Sequence, residues 1–364
     1  MKNSVQIASL ILFMLLGCID PVNVDVESEA GNLVVDALIT DEEGPYSVKL
    51  FYSTGYFDNS RSKPASSADV FILSGNGSII QLNESSAGLY TTPTSFKGQV
   101  GTSYVLNITL SNGKSYRSLP ETLTTNAGID TLAFSYEVKN EVSKENVVTD
   151  YDGINVLLTT GDVSESPFYR WRYSAIYEIL TFPEQKTKKV ELQTIPDPPA
   201  CSGYVYDALT ETLEQIAPCT CCKCWVDEYS QKVIVSKPEF ISGQIQNFNI
   251  GFIRDEKGRF GFKYFIEVEQ LSLSKGAHQF WSQVEQQQNQ GSLFDQPTGR
   301  IKSNIQSIDD PDEIVLGYFS ASSVKKVSGF VTSELFPINV STGDIIQDDC
   351  TKVSNSTNER PPFW

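Results

Sequence analysis

The stretch SYVLNITLSNGKSYRSL, residues 103–119, decides the fold. Two runs rich in β-branched and aromatic residues flank Asn112-Gly113. An Asn-Gly pair favours the positive-φ geometry that a type I′ turn needs, so the stretch predicts a β-hairpin. The same design recurs upstream in ADVFILSGNGSIIQL (68–82), about Gly75-Asn76-Gly77. Before it, NLVVDALIT (32–40) and YSVKLFYST (46–54) are joined by DEEGP (41–45), a turn by composition. Roughly seven short strands in about 95 residues predict an immunoglobulin-like β-sandwich over residues 32–126. The Cys…Trp…Cys hallmark of antibody domains is absent there, so the expectation concerns architecture alone.

Downstream the strands lengthen, and residues 127–364 read as a larger β-rich domain. INVLLTTGD (154–162) and FYRWRYSAIYEILTF (168–182) lead it. In the second run Tyr169, Trp171, Tyr173 and Ala175 share one face, with Phe168, Arg170, Arg172 and Ser174 on the other. Further strands are expected at 231–236, 244–254, 260–272, 300–305, 315–324 and 327–333. One amphipathic helix is predicted over Ser274–Gln290. Ser274 suits its N-cap, Ala277, Phe280, Trp281 and Val284 form the apolar face, and Gly291 suits the stop. Gln283, Gln286, Gln287 and Gln288 make an exposed polar face. The fold class is thus mostly β, a sandwich followed by a larger β-rich domain with one helix.

Composition narrows the function classes. The 364 residues carry 28 basic and 45 acidic side chains, a formal charge of −17. Such a surface repels nucleic-acid phosphate, so no nucleic-acid partner is expected. A single histidine, His278, argues against multi-histidine zinc sites. As a lone surface or boundary residue, it is not read as a catalytic base. No G-x-S-x-G, Walker A or dinucleotide fingerprint occurs. No catalytic residue, cofactor or metal is assigned, and the expectation is a non-enzyme.

The N-terminus carries the sharpest location signal. Lys2 precedes the apolar run VQIASLILFMLL (5–16), which leads to Gly17-Cys18. About twelve apolar residues are too few for a stable span and fit a secretory h-region. Leu-x-Gly-Cys at this place looks like a bacterial lipobox. Residues 1–17 would then be a lipoprotein signal peptide, Cys18 the acyl acceptor and 18–31 an acidic tether. Several acyl chains hold a soluble domain stably on a leaflet. The alternatives are an ordinary signal peptide with a chance cysteine and an uncleaved helix.

Six further cysteines remain: Cys201, Cys219, Cys221, Cys222, Cys224 and Cys350. An even number in an exported chain points to disulfides. Adjacent cysteines rarely bond to each other, so Cys201 and Cys350 are each expected to bridge into the 219–224 cluster. The third bridge would join the remaining pair. Four thiolates within six residues could instead hold a soft metal ion, but C-x-C-C-x-C is not the paired C-x₂-C of zinc ribbons. The acidic loop Asp309-Asp310-Pro311-Asp312-Glu313 and the pair Asp150 and Asp152 read as solvated turns, with Ca²⁺ as the weaker option.

Several strings together resemble a known family. They are NLVVDALITDEEGPYSVKL (32–50), LSLSKGAHQFWSQVEQQ (271–287), GSLFDQPTGRIKSNI (291–305) and DDPDEIVLGYFSASSV (309–324), with Asp349-Cys350 and the Pro-Pro-Phe-Trp end. The pattern resembles the domain-of-unknown-function family 4249, lipoproteins of Bacteroidota, from about Asn32 to Trp364. Leu316-Gly317-Tyr318-Phe319-Ser320 and Phe280-Trp281 are its most specific pieces. The resemblance implies an outer-membrane, surface-facing lipoprotein beside a SusC-like TonB-dependent receptor, and no catalytic residue. The expected function is therefore a lipid-anchored, non-catalytic binding or accessory module of a TonB-dependent transport system. The alternatives are a surface glycan or peptide hydrolase using paired carboxylates, and an envelope structural or adhesion lipoprotein.

Overall fold

The computed structural model describes residues 31–55, 62–142, 147–241, 243–256, 258–289, 299–337, 343 and 345–364. The signal peptide, Cys18 and nearly all of the tether lie outside the described residues, as does Gly291. The fold is mostly β with one α-helix among the described residues.

The 103–119 hairpin forms as strands Ser103–Thr109 and Ser115–Ser118. Its turn differs from the expected type I′. Only Gly113 has positive φ, at 88°. Leu110 N–H donates to Lys114 O, and Gly113 N–H donates to Leu110 O, both at 2.9 Å. That is a three-residue loop with glycine in the left-handed position, the second commonest hairpin solution. Asn112 serves through its side chain instead, accepting from Lys114 N–H at 3.1 Å.

The first sandwich has two six-stranded sheets. One sheet runs Val315–Ser322, Leu33–Thr40, Ser47–Tyr52, Leu89–Thr91 and Asn83–Ser86, with Lys63–Pro64 at its edge. The other runs Ile305–Ser307, Ser115–Ser118, Ser103–Thr109, Asp69–Ser74 and Ile79–Gln81, with Glu121–Thr122 beside Ser103–Thr109. Alternating residues such as Val35, Ile39, Leu50, Val70, Ile72, Leu106 and Ile108 fill the core between them.

This corrects the division at 126/127. Val315–Ser322 returns from far downstream and pairs in parallel with Leu33–Thr40 along eight residues. Ile305, Val315, Phe319 and Ala321 belong to the first core. A chain-order reading cannot see such a return, because strand pairing ignores sequence distance. Of the stretch expected as strand, 300–305, only Ile305 is strand, at the start of Ile305–Ser307.

The return also explains the Leu316–Ser320 string. Gly317 has φ of 87°, and a Cβ there would sit 2.0 Å from Val35 O. Tyr318 O–H donates to Glu121, Phe319 is fully buried, and Phe319 N–H donates to Asn304 Oδ1 at 3.0 Å. Gly317, Tyr318 and Phe319 are thus each constrained by a different neighbour.

The second sandwich packs a three-stranded sheet, Ile129–Val142, Val148–Thr160 and Phe248–Arg254, against a six-stranded one. The latter runs Val324–Thr332, Lys263–Ser272, Tyr169–Leu180, Lys223–Tyr229 and Ser356–Thr357, with Ile234–Val235 beside Tyr169–Leu180. Tyr169, Trp171, Ala175 and Tyr177 point into this core with Phe260, Tyr264 and Val268.

The two sandwiches meet in a buried polar joint. Asn126 Nδ2 donates to Gln270 O and Ser323 O, both at 2.9 Å. Gln270 Nε2 donates to Asn126 Oδ1 at 2.8 Å and to Gly128 O at 2.9 Å. Its Oε1 accepts from Trp171 Nε1 at 2.9 Å. Asp41 accepts from Ser323 Oγ and Val324 N–H. Satisfied networks of this kind fix geometry, because any rearrangement strands a buried donor.

The helix, Lys275–Asn289, lies against the joint. Ser274 Oγ accepts from Ala277 N–H at 3.0 Å, the predicted cap. Ala277 packs with Leu273 and Tyr318, flanked by Phe280 and Trp281. Gln283, Gln286, Gln287 and Gln288 are exposed, although Gln288 Oε1 also accepts from Val233 N–H at 2.8 Å.

Candidate functional site

The end of the second sandwich remote from the joint carries a different kind of structure. Tyr169 is at the joint, where its hydroxyl accepts from Ala127 N–H at 3.2 Å. Leu180, at the other end of that strand, lies roughly 36 Å away at a strand rise of about 3.3 Å per residue. Beyond it the chain builds two small hairpins, Thr187–Val190 with Gln193–Pro196 and Tyr204–Asp207 with Thr212–Gln215. Thr187–Val190 and Thr212–Gln215 are exposed at every position. A two-stranded hairpin without a core is marginal in water.

Covalent bonds do the holding. Cys201–Cys221, Cys219–Cys222 and Cys224–Cys350 are disulfides, with Cα–Cα separations of 5.6, 5.8 and 5.7 Å. Cys224 and Cys350 lie in the second core, and Cys221 is also buried. The hairpins are thus stapled to a packed base. Backbone bonds add to this: Thr220 N–H to Cys201 O at 2.8 Å, Thr181 N–H to Cys222 O at 2.8 Å and Cys350 N–H to Cys221 O at 3.1 Å. Gly203, at φ 76°, lets the second hairpin close, since a Cβ there would lie 2.0 Å from Ala217 O. Cys201, Cys221 and Asp349 cluster within 4.8 Å, but both sulfurs are consumed by the bridge and neither is a thiolate ligand.

Electrostatics reinforce the base. Asp348 lies 2.9 Å from both Lys186 and Lys352. Partial burial pushes its carboxyl up, but the two ammonium groups and the Asp349 N–H outweigh that and hold it down at about 2.

The stapled lobe presents apolar side chains to solvent. Leu192 and Leu209, in the hairpin loops, are fully exposed, and Ile216, Val205, Val190 and Leu213 are also exposed. Beside the lobe, Ile179, Leu180, Phe182, Phe262, Ile345 and Ile346 line a cleft of about 370 Å³. Glu178 and Phe262 are shared with a shallower cavity of about 450 Å³ flanked by Lys223, Trp225, Lys263, Arg360 and Trp364. Trp364 stands edge-on to Trp225 at 6.4 Å and donates to Glu178 at 3.1 Å. These apolar groups are thus held in water on a covalently stapled support.

The other candidates fall elsewhere. His278 is buried rather than on the surface. Its Nε2 lies 2.8 Å from Ser236 O and its ring packs 5.0 Å from Phe168. Asp309 accepts from Ser115 N–H at 2.8 Å, and Glu313 binds Lys114 and the Tyr116 hydroxyl, so this loop closes the first sandwich. Asp152 accepts from Tyr136 and Asp150 from Asn140, side-chain pairs within one hairpin. Sequence reasoning missed Glu121. Burial raises its carboxyl, against donation by Tyr318, Ser274 and Asn304. It belongs to the joint. It also missed the lobe's leucines, whose isolated positions between polar residues carry no periodic signal.

No curated protein matches the chain. A family model described as a domain of unknown function, DUF4249, matches residues 19–328. The match begins earlier than the expected Asn32 and stops before Trp364, so Cys350 and the terminal aromatics lie beyond it. It covers the first sandwich, the joint and the stapled hairpins, well over half of the chain, and the protein belongs to the DUF4249 family.

Proposed function

We propose that this protein is a lipid-anchored outer-membrane lipoprotein that works as a non-catalytic binding or accessory module, docking its stapled lobe onto a membrane partner. By the resemblance noted above, the partner is a SusC-like TonB-dependent receptor in Bacteroidota. The observation that carries the reading is the polarity of the molecule. Leu33, next to the tether, pairs with Val315. Thr332, at the other end of the chain's return, pairs with Lys263 beside the aromatic cavity. Strands Val315–Ser322 and Val324–Thr332 join these ends through Ser323, a path of up to about 60 Å at strand rise. The lipid attaches at one end and the apolar lobe lies at the other, with a rigid joint between.

The test has two parts. Cys18→Ala should abolish acyl labelling and membrane retention. Unchanged labelling would remove the anchor. The native chain, tagged at its C-terminus and solubilised from outer membranes in mild detergent, should then co-purify one barrel at near-stoichiometric amount. A solitary lipoprotein, or cleavage of a glycan or peptide panel that an Asp or Glu substitution abolishes, would overturn the accessory reading.

A further inference from the structure

The outward face of Tyr169–Leu180 holds a cation that makes no ion pair among the described residues. Arg170 lies against the helix, its guanidinium 3.6 Å from the centre of the Trp281 ring. Burial first, and then the neighbouring Arg172, lower its pKa to about 10 against the attraction of Asp36, so it stays charged at neutral pH. Its Nε is buried and has no hydrogen-bond partner. Among the described residues no carboxylate lies within salt-bridge distance of it, in a chain with 45 acidic side chains.

The surroundings extend the positive character. Arg170 lines a cavity of about 480 Å³ with Arg172, Lys232, Ser230, Tyr229 and Glu269. The one carboxylate there, Glu269, is already taken by Arg172 at 2.5 Å and Lys326 at 3.4 Å. Ser230 Oγ accepts from Tyr173 N–H at 3.1 Å, which leaves its own proton to donate into the cavity. Tyr229 is exposed and offers an aromatic wall. Stacking on Trp281 occupies the guanidinium face and leaves its edge of N–H donors, the fork that matches a planar carboxylate.

We propose that Arg170 anchors a binding site for a small carboxylate ligand in this cavity, with Ser230 and Lys232 as further donors and Tyr229 against the ligand's body. The site is independent of the membrane partner, so its failure and that of the accessory reading are separable. A buried Nε–H without an acceptor is costly, and a cation outside any ion pair is free to take an incoming carboxylate. A loose surface contact would not explain why the guanidinium is stacked on Trp281 with its Nε buried.

The test is titration of the full-length chain in mild detergent with acetate, citrate, glucuronate and inorganic phosphate. Tryptophan fluorescence and the ¹⁵N-edited Arg Nε–H signal report on the Trp281–Arg170 stack. At least one carboxylate should bind saturably and shift both. Arg170→Gln should weaken that binding at least about tenfold, and Ser230→Ala should weaken it by a smaller factor without touching the charge. Circular dichroism checks that each variant is folded. If Arg170→Gln unfolds, Ser230→Ala together with the wild-type Arg Nε–H shift decides. No saturable carboxylate binding, binding unchanged in both variants, or binding of phosphate alone would overturn the proposal.

Discussion

The first sandwich and the stapled lobe solve the same problem in opposite ways. In the first sandwich the apolar side chains are inside, alternating along each strand, and packing holds the fold. In the lobe the hairpin strands have almost no interior, three disulfides hold the shape, and leucines face water. Packing spends apolar surface inside the protein. Covalent stapling leaves it available outside. The difference teaches where to look for function: in the region whose shape does not depend on hiding its own hydrophobic groups.

The predictions break or sharpen that contrast, in descending order of effect. Replacing Cys224 and Cys350 together by Ala opens a loop of 126 residues that ends in the second core. It should cost about 5 kcal/mol in the chain-entropy model, read by denaturant unfolding. An unchanged midpoint would mean that packing alone holds the second sandwich. Gly317→Ala forces a Cβ against Val35 O in the parallel pairing and should cost about 3 kcal/mol. It should act through the first sandwich and leave the lobe's bridges intact, which mass spectrometry of the bridged peptides checks.

Cys201→Ala with Cys221→Ala should act locally. Hydrogen exchange should rise in 187–215 by an opening change of about 3 kcal/mol, while the first sandwich keeps its protection. Uniform loss of protection would show that the lobe is integral to the core. Leu192→Asp with Leu209→Asp removes two exposed side chains and should leave stability within about 0.5 kcal/mol. A large loss would show that these leucines pack in the free protein.

The smallest effect is the pH response of Asp348. Its folded pKa, about 2, lies below the unfolded carboxylate value, so its contribution is present above pH ~4 and lost as pH falls towards 2. Screening keeps this below about 1 kcal/mol. Asp348→Asn should flatten the wild-type stability slope between pH 4 and 2, and an unchanged slope would remove the Lys186 and Lys352 pairing as its cause.

What was legible in the sequence follows the same contrast. The hairpin about Asn112-Gly113, the inward face of Tyr169, Trp171 and Ala175, and the Ser274 cap are local patterns, and local patterns are readable. Even there the turn type was not, because Asn112 acts through its side chain rather than its backbone. The return of Val315–Ser322 into the first sheet was hidden, since no local signal tells a strand which distant neighbour it meets. The cysteines marked the lobe, but Leu192 and Leu209 look like unremarkable loop residues until their exposure is known. Arg170 reads as the polar phase of a half-buried strand. Only the structure shows that it is stacked on Trp281 with its Nε buried and unpartnered.

The most direct test of the central claim places a photo-crosslinking amino acid at Leu192 or Leu209 in the lobe and, as the contrast, at the exposed Ile79 of the first sandwich. Irradiation of intact cells should trap one outer-membrane barrel from both lobe positions and nothing at comparable yield from Ile79. Equal crosslinking from all three positions, or none from the lobe, would contradict the account.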